Sequence, residues 1–293
     1  MLNIISILFA STIRSATPLI FPALGGTFSE RSGVVNIGLD GMMTVGAFSA
    51  VLVSYKTGSP LLGLFGAMIM GGLFGWLLAF LSIHFKANQV VVGTAINILA
   101  GSLTTFLLIE IWGKPGQTDN VNYFTPWGPF NMFTYLAFIL VVVSYFVLYK
   151  TPFGLRIRAV GEHPRAADTL GVNVYIMRYI CVIISGILAG IGGASLSIGS
   201  ISLFKEGMVA GKGFIALAAM IFGKWHPIGA ALACLFFGLA DAIQTISMSL
   251  GLNVPKEFLF ALPYLLTMLA VSGVVGKAIA PAADGVPYEK GEK

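Results

Sequence analysis

The run IMRYICVIISGILAGIGGASLSIG, at positions 176–199, contains one charged residue, Arg178, in 24 positions. An α-helix needs about 20 mainly apolar residues to cross the hydrocarbon core of a bilayer, so this run is long enough to span it. Gly186 and Gly190 are four positions apart and share one helical face, and small residues at that spacing let helix backbones approach closely in lipid. The run therefore predicts a transmembrane helix packed inside a larger helical body.

The rest of the chain has the same apolar character. Of its 293 residues, 57% are hydrophobic and 10% are charged, and the mean hydropathy is +0.90. A soluble domain carries about a quarter charged residues, so this chain lacks the polar side chains that would cover a water-facing surface. Cys181 and Cys234 lie in apolar stretches and have no disulfide or metal-binding spacing. We predict an all-α, polytopic membrane protein that forms one transmembrane domain over residues 1–293.

Nine apolar segments are candidate membrane spans, which predicts about eight to nine transmembrane helices. The segment at 213–223 is too short to cross alone and is followed by a polar break at 224–227. It is predicted to be a half-helix followed by a turn, a device that transporters use near the membrane midplane, or else a short tilted span. The nine segments are 2–25, 37–55, 60–84, 90–112, 132–149, 176–199, 213–223, 227–249 and 257–275.

The basic residues of the chain predict its orientation. The loop at 150–178 is the densest basic segment, with five lysines and arginines. Placing this loop in the cytoplasm puts most of the loop and tail lysines and arginines on the same side. By the positive-inside rule, the N-terminus is then outside and the C-terminus is cytoplasmic, in the plasma membrane.

The loop at 150–178 also contains the outline of a short helix. Pro164 suits the first helical position and Gly171 suits a C-terminal cap. A helix of under two turns buries little by itself and needs a partner surface to be stable. Ala166 and Ala167 would give it a flat face that another protein can approach. The alternative is an ordinary basic loop held by lipid headgroups.

Three blocks of sequence carry a resemblance to a known family. They are the loop pattern RAxGxxxxAAxxxG at 158–171, the stretch SERSGVVNIGLDGMM at 29–43, and KANQVV at 86–91 followed by Asn97. The loop pattern resembles the coupling motif of ABC-importer permeases of the branched-chain amino acid, ribose and nucleoside group. The other two blocks are similar to the permeases for simple sugars and especially nucleosides, and the chain resembles the shorter member of the paired nucleoside permeases.

The resemblance implies a division of labour among several chains. A second permease chain, either identical or, as the length of this chain favours, a longer paralogue, would complete the pore. Two ABC ATPase subunits would dock on the cytoplasmic coupling loops, and an extracytoplasmic lipoprotein would deliver the substrate. No G-x-x-x-x-G-K-[ST] motif occurs in the sequence, so ATP is expected to bind another chain. No cofactor or nucleic acid is expected. The residues expected to couple to the ATPase are Arg156, Arg158, Gly161, Glu162, Pro164, Ala166, Ala167 and Gly171.

Polar side chains inside the apolar segments form the candidate substrate pathway. A charge at membrane depth is costly, so each such residue is by default a functional hypothesis. Asparagine, glutamine and aspartate can hydrogen-bond the amide-like edges and hydroxyls of a neutral nucleoside. The alternative is that they hydrogen-bond neighbouring helices and serve only to hold them together. The candidates are Asn36, Asp40, Gln89, Asn97, Asp241 and Gln244.

Three further charged residues lie in or beside the first span. Arg14 is about midway along it, and we expect it to form a structural ion pair with Asp40 or Asp241. Glu30 and Arg31 are at its cytoplasmic end, where we expect them to be solvated and to orient the helix, the alternative being contact with the ATPase.

The sequence contains no catalytic constellation. Its three histidines are far apart, and it has no His-x-x-x-His, Cys-x-x-Cys or G-x-S-x-G pattern. We therefore predict a non-enzymatic permease for nucleosides. The alternatives are a permease for ribose or another simple sugar, one for branched-chain amino acids, and a proton-coupled secondary transporter that uses Asp40 and Asp241 and needs no ATPase.

Overall fold

The computed structural model describes residues 2–125, 128–249 and 279–290. Within these ranges the chain forms ten α-helices and no β-strand, and a single isolated bridge pairs Gln117 with Lys205. Two helices continue into a π-helical turn, α3 through Phe80–His84 and α8 through Ser197–Ile201. The helices are α1 (Leu2–Arg31), α2 (Leu39–Thr57), α3 (Pro60–Ala79), α4 (Gln89–Trp112), α5 (Met132–Lys150), α6 (Pro152–Glu162), α7 (Pro164–Thr169), α8 (Val174–Leu196), α9 (Lys212–Phe222) and α10 (Pro227–Ser249).

Six of these helices are long and apolar enough to cross a membrane: α1, α3, α4, α5, α8 and α10. The prediction of an all-α, multi-pass membrane protein is therefore confirmed. The count of eight to nine spans is not reached, because α2, with 19 residues, is not among the six and α9 is short. The predicted span at 257–275 lies outside the described residues.

Helix α9 is the short segment for which the sequence predicts either a half-helix or a short tilted span. It has 11 residues, so at about 1.5 Å per residue it is about 16 Å long, roughly half the thickness of a bilayer core. It begins beside Asp40, at the start of α2, and ends at the turn before α10. The turn contains Lys224 and Trp225, with φ of +56° and +51°. This backbone reverses the chain sharply enough to lead directly into α10.

Helix α8 forms the centre of the bundle and packs against α1, α2 and α3. It is the most buried of the six long helices, with 61% of an apolar 18-residue stretch buried, against 28% for α4. A Cβ atom added at Gly186 would collide with the carbonyl oxygen of Gly71, and one added at Gly71 would collide with that of Gly186. The small residues of α3 and α8 therefore bring the two backbones into direct contact, as the glycine spacing predicts.

The loops with a predicted cytoplasmic location lie together at one end of the bundle, which we call the coupling end. The Arg31 guanidinium donates to the carbonyl oxygens of Lys224 and Trp225 at 3.2 and 3.0 Å. The Arg178 Nε donates to the Ser32 carbonyl oxygen at 3.1 Å. These contacts join the α1–α2 turn, the α9–α10 turn and the start of α8.

The loops with a predicted external location meet at the opposite end, which we call the distal end. Asn122 donates to the Gly58 carbonyl oxygen at 2.8 Å, and Asn131 donates to that of Gly199 at 2.9 Å. Arg14 Nη2 donates to the Pro129 carbonyl oxygen at 2.8 Å. The expected ion pair of Arg14 with Asp40 or Asp241 is therefore wrong, because the arginine lies within reach of the distal loop and satisfies that backbone oxygen.

Candidate functional site

The predicted coupling loop folds into two short helices, α6 and α7. The Thr151 hydroxyl caps α6 by accepting a hydrogen bond from the Gly154 amide at 3.2 Å, and Pro152 fills the first turn, where a missing N–H costs nothing. Helix α7 begins at Pro164, and Gly171 follows it with φ of +83°. The prediction of a short helix between Pro164 and Gly171 is confirmed. Helix α6 is not among the predicted elements.

The two alanines of α7 face in different directions. Ala167 is 3% exposed and belongs to the hydrophobic core, whereas Ala166 is exposed. Successive helical residues point about 100° apart, so the predicted flat face of both alanines is wrong. Leu170, one turn beyond Ala166, is 83% exposed. Ala166 on α7 and Leu170 at its C-terminal end together form a small exposed apolar surface.

Helix α6 carries three charged residues, two of which extend the surface around α7. Arg156 and Glu162 are exposed, and Glu162 Oε2 accepts a hydrogen bond from the Ala282 amide at 3.3 Å. The Arg158 guanidinium lies over the Tyr149 ring, 5.0 Å from its centroid, in a cation–π contact. Arg158 is thus directed back towards α5, and Arg156 remains on the outer face of α6.

Gly161 connects α6 to the end of α1 through backbone contact alone. A Cβ atom at this position would collide with the carbonyl oxygen of Arg31. No larger residue fits unless α6 moves away from α1. The α6–α7 pair and α1 are therefore in direct backbone contact at this point.

Glu30 and Arg31 fasten α1 to the α9–α10 turn. Glu30 is 3% exposed, and its Oε2 accepts a hydrogen bond from the Trp225 indole at 2.6 Å. The prediction that both residues are solvated is wrong, because the Trp225 side chain covers Glu30 and Arg31 binds the carbonyl oxygens of the turn. In the turn itself, burial and the positive charge of Arg31 lower the pKa of His226.

Two of the predicted pathway residues hold the α1–α2 turn in place. Asn36 is fully buried; its Nδ2 donates to the Ser185 hydroxyl at 2.8 Å, and its Oδ1 accepts from the Gly38 amide at 3.0 Å. Gln89 is 4% exposed, and its Oε1 accepts from the Val35 amide at 2.7 Å. These bonds tie the turn to α8 and α4, which is the structural alternative for such residues.

Asn97 bridges α4 and the start of α2. Its Oδ1 accepts from the Gly41 amide at 2.8 Å and its Nδ2 donates to the Ile37 carbonyl oxygen at 3.0 Å. Both ends of the amide are therefore engaged with the backbone.

Asp40 caps the half-helix α9. Its Oδ1 accepts a hydrogen bond from the Gly213 amide, in the first turn of α9, at 3.0 Å. The Lys212 ammonium is close enough to attract the same carboxylate. A carboxylate at a helix N-terminus satisfies a free amide and interacts favourably with the helix dipole. The structure thus brings Asn36, Asp40, Gln89 and Asn97 together around the first turn of α2.

The two remaining predicted residues lie on another helix. Asp241 and Gln244 are half-buried on α10, which packs against α1, α5 and α9. The Asp241 carbonyl oxygen accepts the Thr245 hydroxyl at 3.0 Å. Asp241 and Gln244 share a face of α10, as their spacing predicts.

Helix α4 carries exposed small and hydroxyl-bearing residues that are not among the predicted pathway residues. Thr94, Gly101 and Ser102 are exposed and Thr105 is half-buried, and α4 is the least buried of the long helices. These positions recur at seven, eight and eleven residues, so they share one side of the helix, where Val91 and Ile98 are also exposed. We call the four residues the α4 polar face. The Thr94 hydroxyl donates to the Val90 carbonyl oxygen at 2.8 Å, so this side of α4 combines hydroxyl and apolar groups and is compatible with packing against another helix.

The family of the chain is shown by comparison with known proteins. Residues 8–275 match the family described as the branched-chain amino acid transport system permease component. This chain belongs to that family. The family's sequence match begins in α1 and covers every described long helix as well as α6 and α7.

Three named ABC transporter permeases are similar to this chain over most of its length. The chain is 47% identical to the guanosine ABC transporter permease NupQ of Bacillus subtilis, over 99% of both chains. It is 42% identical to the nucleoside ABC transporter permease NupC of Lactococcus lactis, over 98% of both. It is also 39% identical to TsgC13 of Haloferax volcanii, a permease named for glucose, over 84% of this chain and 79% of that one.

Proposed function

We propose that this chain is a transmembrane permease subunit of an ATP-driven importer of nucleosides. The observation that carries the proposal is the nearly full-length similarity to NupQ and NupC, which are named for guanosine and nucleoside transport. A nucleoside is neutral and can be recognised by hydrogen bonds without a counter-charge. The hydroxyls of the α4 polar face are groups of that kind. Similarity to TsgC13 supports a simple sugar such as ribose as the second candidate, whereas a branched-chain amino acid would need charged partners for both of its ends.

The contacts of the coupling end support a route for the coupling motion. An ATPase that docks on Ala166 and Leu170 would push α6 and α7 as one unit. Gly161 would pass the push to Arg31, because the two backbones are in contact. Arg31 holds the turn at the end of α9, and the other end of α9 is bonded to Asp40 on α2. Movement of the half-helix against α2 would then open or close the pathway, in a form of alternating access.

A second permease chain, expected to be a longer paralogue, would cover the α4 polar face. This proposal is supported by the low burial of α4 and by the hydroxyls on its outward side. Two such faces opposed across a pore would leave the substrate between hydroxyl groups and α2. Because the tight binding site is expected on the lipoprotein, the pore needs only weak hydrogen bonds to the substrate.

The two ends of the bundle would then face different compartments. The basic residues at the coupling end support a cytoplasmic location for α6, α7 and the C-terminus, and an external location for the N-terminus, in the plasma membrane. ABC ATPase subunits would bind the coupling end. The substrate-binding lipoprotein would dock on the distal end, whose loops are tied together by Asn122 and Asn131.

Substitution of Asp40 separates this proposal from a proton-coupled transporter. An asparagine side chain retains an oxygen that can accept from the Gly213 amide, so Asp40→Asn should keep uptake within about twofold, as expected for an intact cap. Asp40→Ala removes the cap and should lower stability by about 1 kcal/mol. A proton carrier at this position would instead lose uptake in both variants. Uptake by cells and thermal unfolding of the purified protein measure the two effects.

The substrate is tested by uptake of labelled guanosine in cells with and without this chain. We expect deletion to abolish uptake, and we expect an excess of unlabelled ribose, glucose or leucine not to compete in cells that carry the chain. Unchanged guanosine uptake after deletion, with loss of ribose or leucine accumulation, would retain the permease architecture and reject the nucleoside.

A further inference from the structure

Residues 281–290 cross the coupling end as a segment that begins with a turn at 282–285, and we call this segment the strap. The Ala283 amide donates to the Gly161 carbonyl oxygen at 2.9 Å, and the neighbouring Ala282 amide donates to Glu162. The strap is therefore bonded to the last turn of α6. Gly161 is the same residue whose backbone rests on Arg31, so the strap is joined to the coupling helices at their contact with α1.

The opposite side of the strap is bound by α8. Arg178 Nη1 donates to the Val286 carbonyl oxygen at 2.9 Å, and the Tyr175 hydroxyl donates to that of Tyr288 at 3.3 Å. Arg178 is 2% exposed and also donates to the Ser32 carbonyl oxygen. A single buried guanidinium thus holds both the strap and the α1–α2 turn.

A carboxyl group of the strap lies in the same buried region. Burial raises the pKa of Asp284, and the nearby positive charge of Arg178 opposes the increase. The positive charge of Arg178 therefore offsets part of the cost of burying this carboxyl group when the strap is docked.

The end of the strap reaches two more elements. Lys86, in the α3–α4 turn, forms an ion pair with Glu289, and the side chains are 44% and 38% exposed. Lys290 Nζ lies 3.8 Å from Asp168 Oδ1 on α7. The strap therefore contacts α6, α7, α8 and the α3–α4 turn, and Arg178 links it to the α1–α2 turn.

We propose that the strap positions the coupling helices, holding α6 and α7 in fixed register with the turns that lead into α2 and α4. The inference rests on the proposed function, because it assigns a role in coupling. Helix α7 has six residues, and a helix that short depends on tertiary contacts for its placement. With the strap docked, a displacement of α6–α7 also moves the α3–α4 turn, and so reaches α4 by a route separate from the one through α1 and α9.

The first test removes one donor from the strap. Ala283→Pro deletes the amide that binds Gly161, whereas the matched control Ala283→Gly keeps it. We expect Ala283→Pro to reduce guanosine uptake per folded complex about tenfold, the upper range for loss of one hydrogen bond, while ATP hydrolysis by the complex continues. Ala283→Gly should transport normally. If Ala283→Pro transports like the wild type, or if uptake and hydrolysis fall in parallel, the proposal is wrong.

The second test holds the strap in place and does not depend on how the proline variant folds. Lys86→Cys and Glu289→Cys are joined by a short reversible bis-thiosulfonate crosslinker. The native Cys181 and Cys234 are fully buried, and reagent-treated wild type controls for any reaction there. We expect crosslinked transporters to keep uptake within about twofold, because partners in fixed register need not separate. Loss of uptake that a reductant restores would overturn the proposal. Guanosine uptake by the wild type in the same assay shows separately whether the proposed function holds.

Discussion

Replacing Ala166 with tryptophan should abolish guanosine uptake while the protein remains inserted and folded. Ala166 is exposed on α7, beside the pocket that α7 forms with the strap, so the indole leaves the hydrophobic core unchanged and alters the surface offered to a partner. A bulky group at the centre of a docking surface removes close packing around it, at a cost of about 2 to 4 kcal/mol, or roughly 30-fold to 1,000-fold in binding. Uptake, ATPase co-purification and thermal stability of the purified permease are the measurements.

Two further variants show whether the effect arises from docking. Ala166→Ser adds one atom and should leave uptake unchanged. Ala167→Trp should also lose uptake, but through loss of folded protein, because that residue is 3% exposed and lies in the hydrophobic core. Normal uptake and normal ATPase binding by Ala166→Trp would show that the ATPase docks on a surface other than α7.

The features that the sequence predicts correctly depend on local signals. Apolar runs of about 20 residues predict the long helices because length and hydropathy are properties of one segment. Pro164 marks the start of α7 because its ring restricts φ to a value that suits a helix, and Gly171 marks the end because it adopts a left-handed φ. Both requirements concern a single residue. The half-helix α9 is predicted in the same way, from its length and from the polar break that follows it.

The features that the sequence does not predict depend on residues far apart in the chain. Glu30 is buried because Trp225, 195 positions later, covers it. Asn36 and Asn97 are polar residues in apolar segments, as pathway residues would be. Their amide groups are instead hydrogen-bonded to Ser185 and to the backbone of Ile37 and Gly41. A polar residue in an apolar segment is compatible with either role, and only the packing of the helices distinguishes them.

The strap illustrates the same limit at the C-terminus. Its sequence, PAADGVPYEK at 281–290, has two prolines, a glycine and three charged residues, a composition typical of a loop. It forms no helix or strand, and its backbone is held by hydrogen bonds to the Gly161 carbonyl oxygen and from the Arg178 guanidinium. Those partners belong to α6 and α8, so nothing within the segment itself indicates where it docks.

Replacing Gly71 with valine should destabilise the whole bundle. Its Cβ would collide with the carbonyl oxygen of Gly186 on α8, and neither backbone can move without separating α3 from α8. Overpacking of this kind costs about 1–3 kcal/mol and occasionally more, which corresponds to a fall of roughly 2 to 12 °C in the thermal midpoint at 2–4 °C per kcal/mol. Thermal unfolding of the detergent-purified protein, followed by the loss of the monodisperse fraction, measures the change.

Gly101→Val is the matched control for that prediction. Gly101 is also inside a long apolar helix, but a Cβ atom added there meets nothing within 4 Å. Valine forms helices slightly better than glycine, so the thermal midpoint should stay the same or rise. Equal loss of stability in both variants would mean that the effect comes from the valine side chain itself. A loss confined to Gly71→Val would show that the α3–α8 backbone contact holds the bundle together.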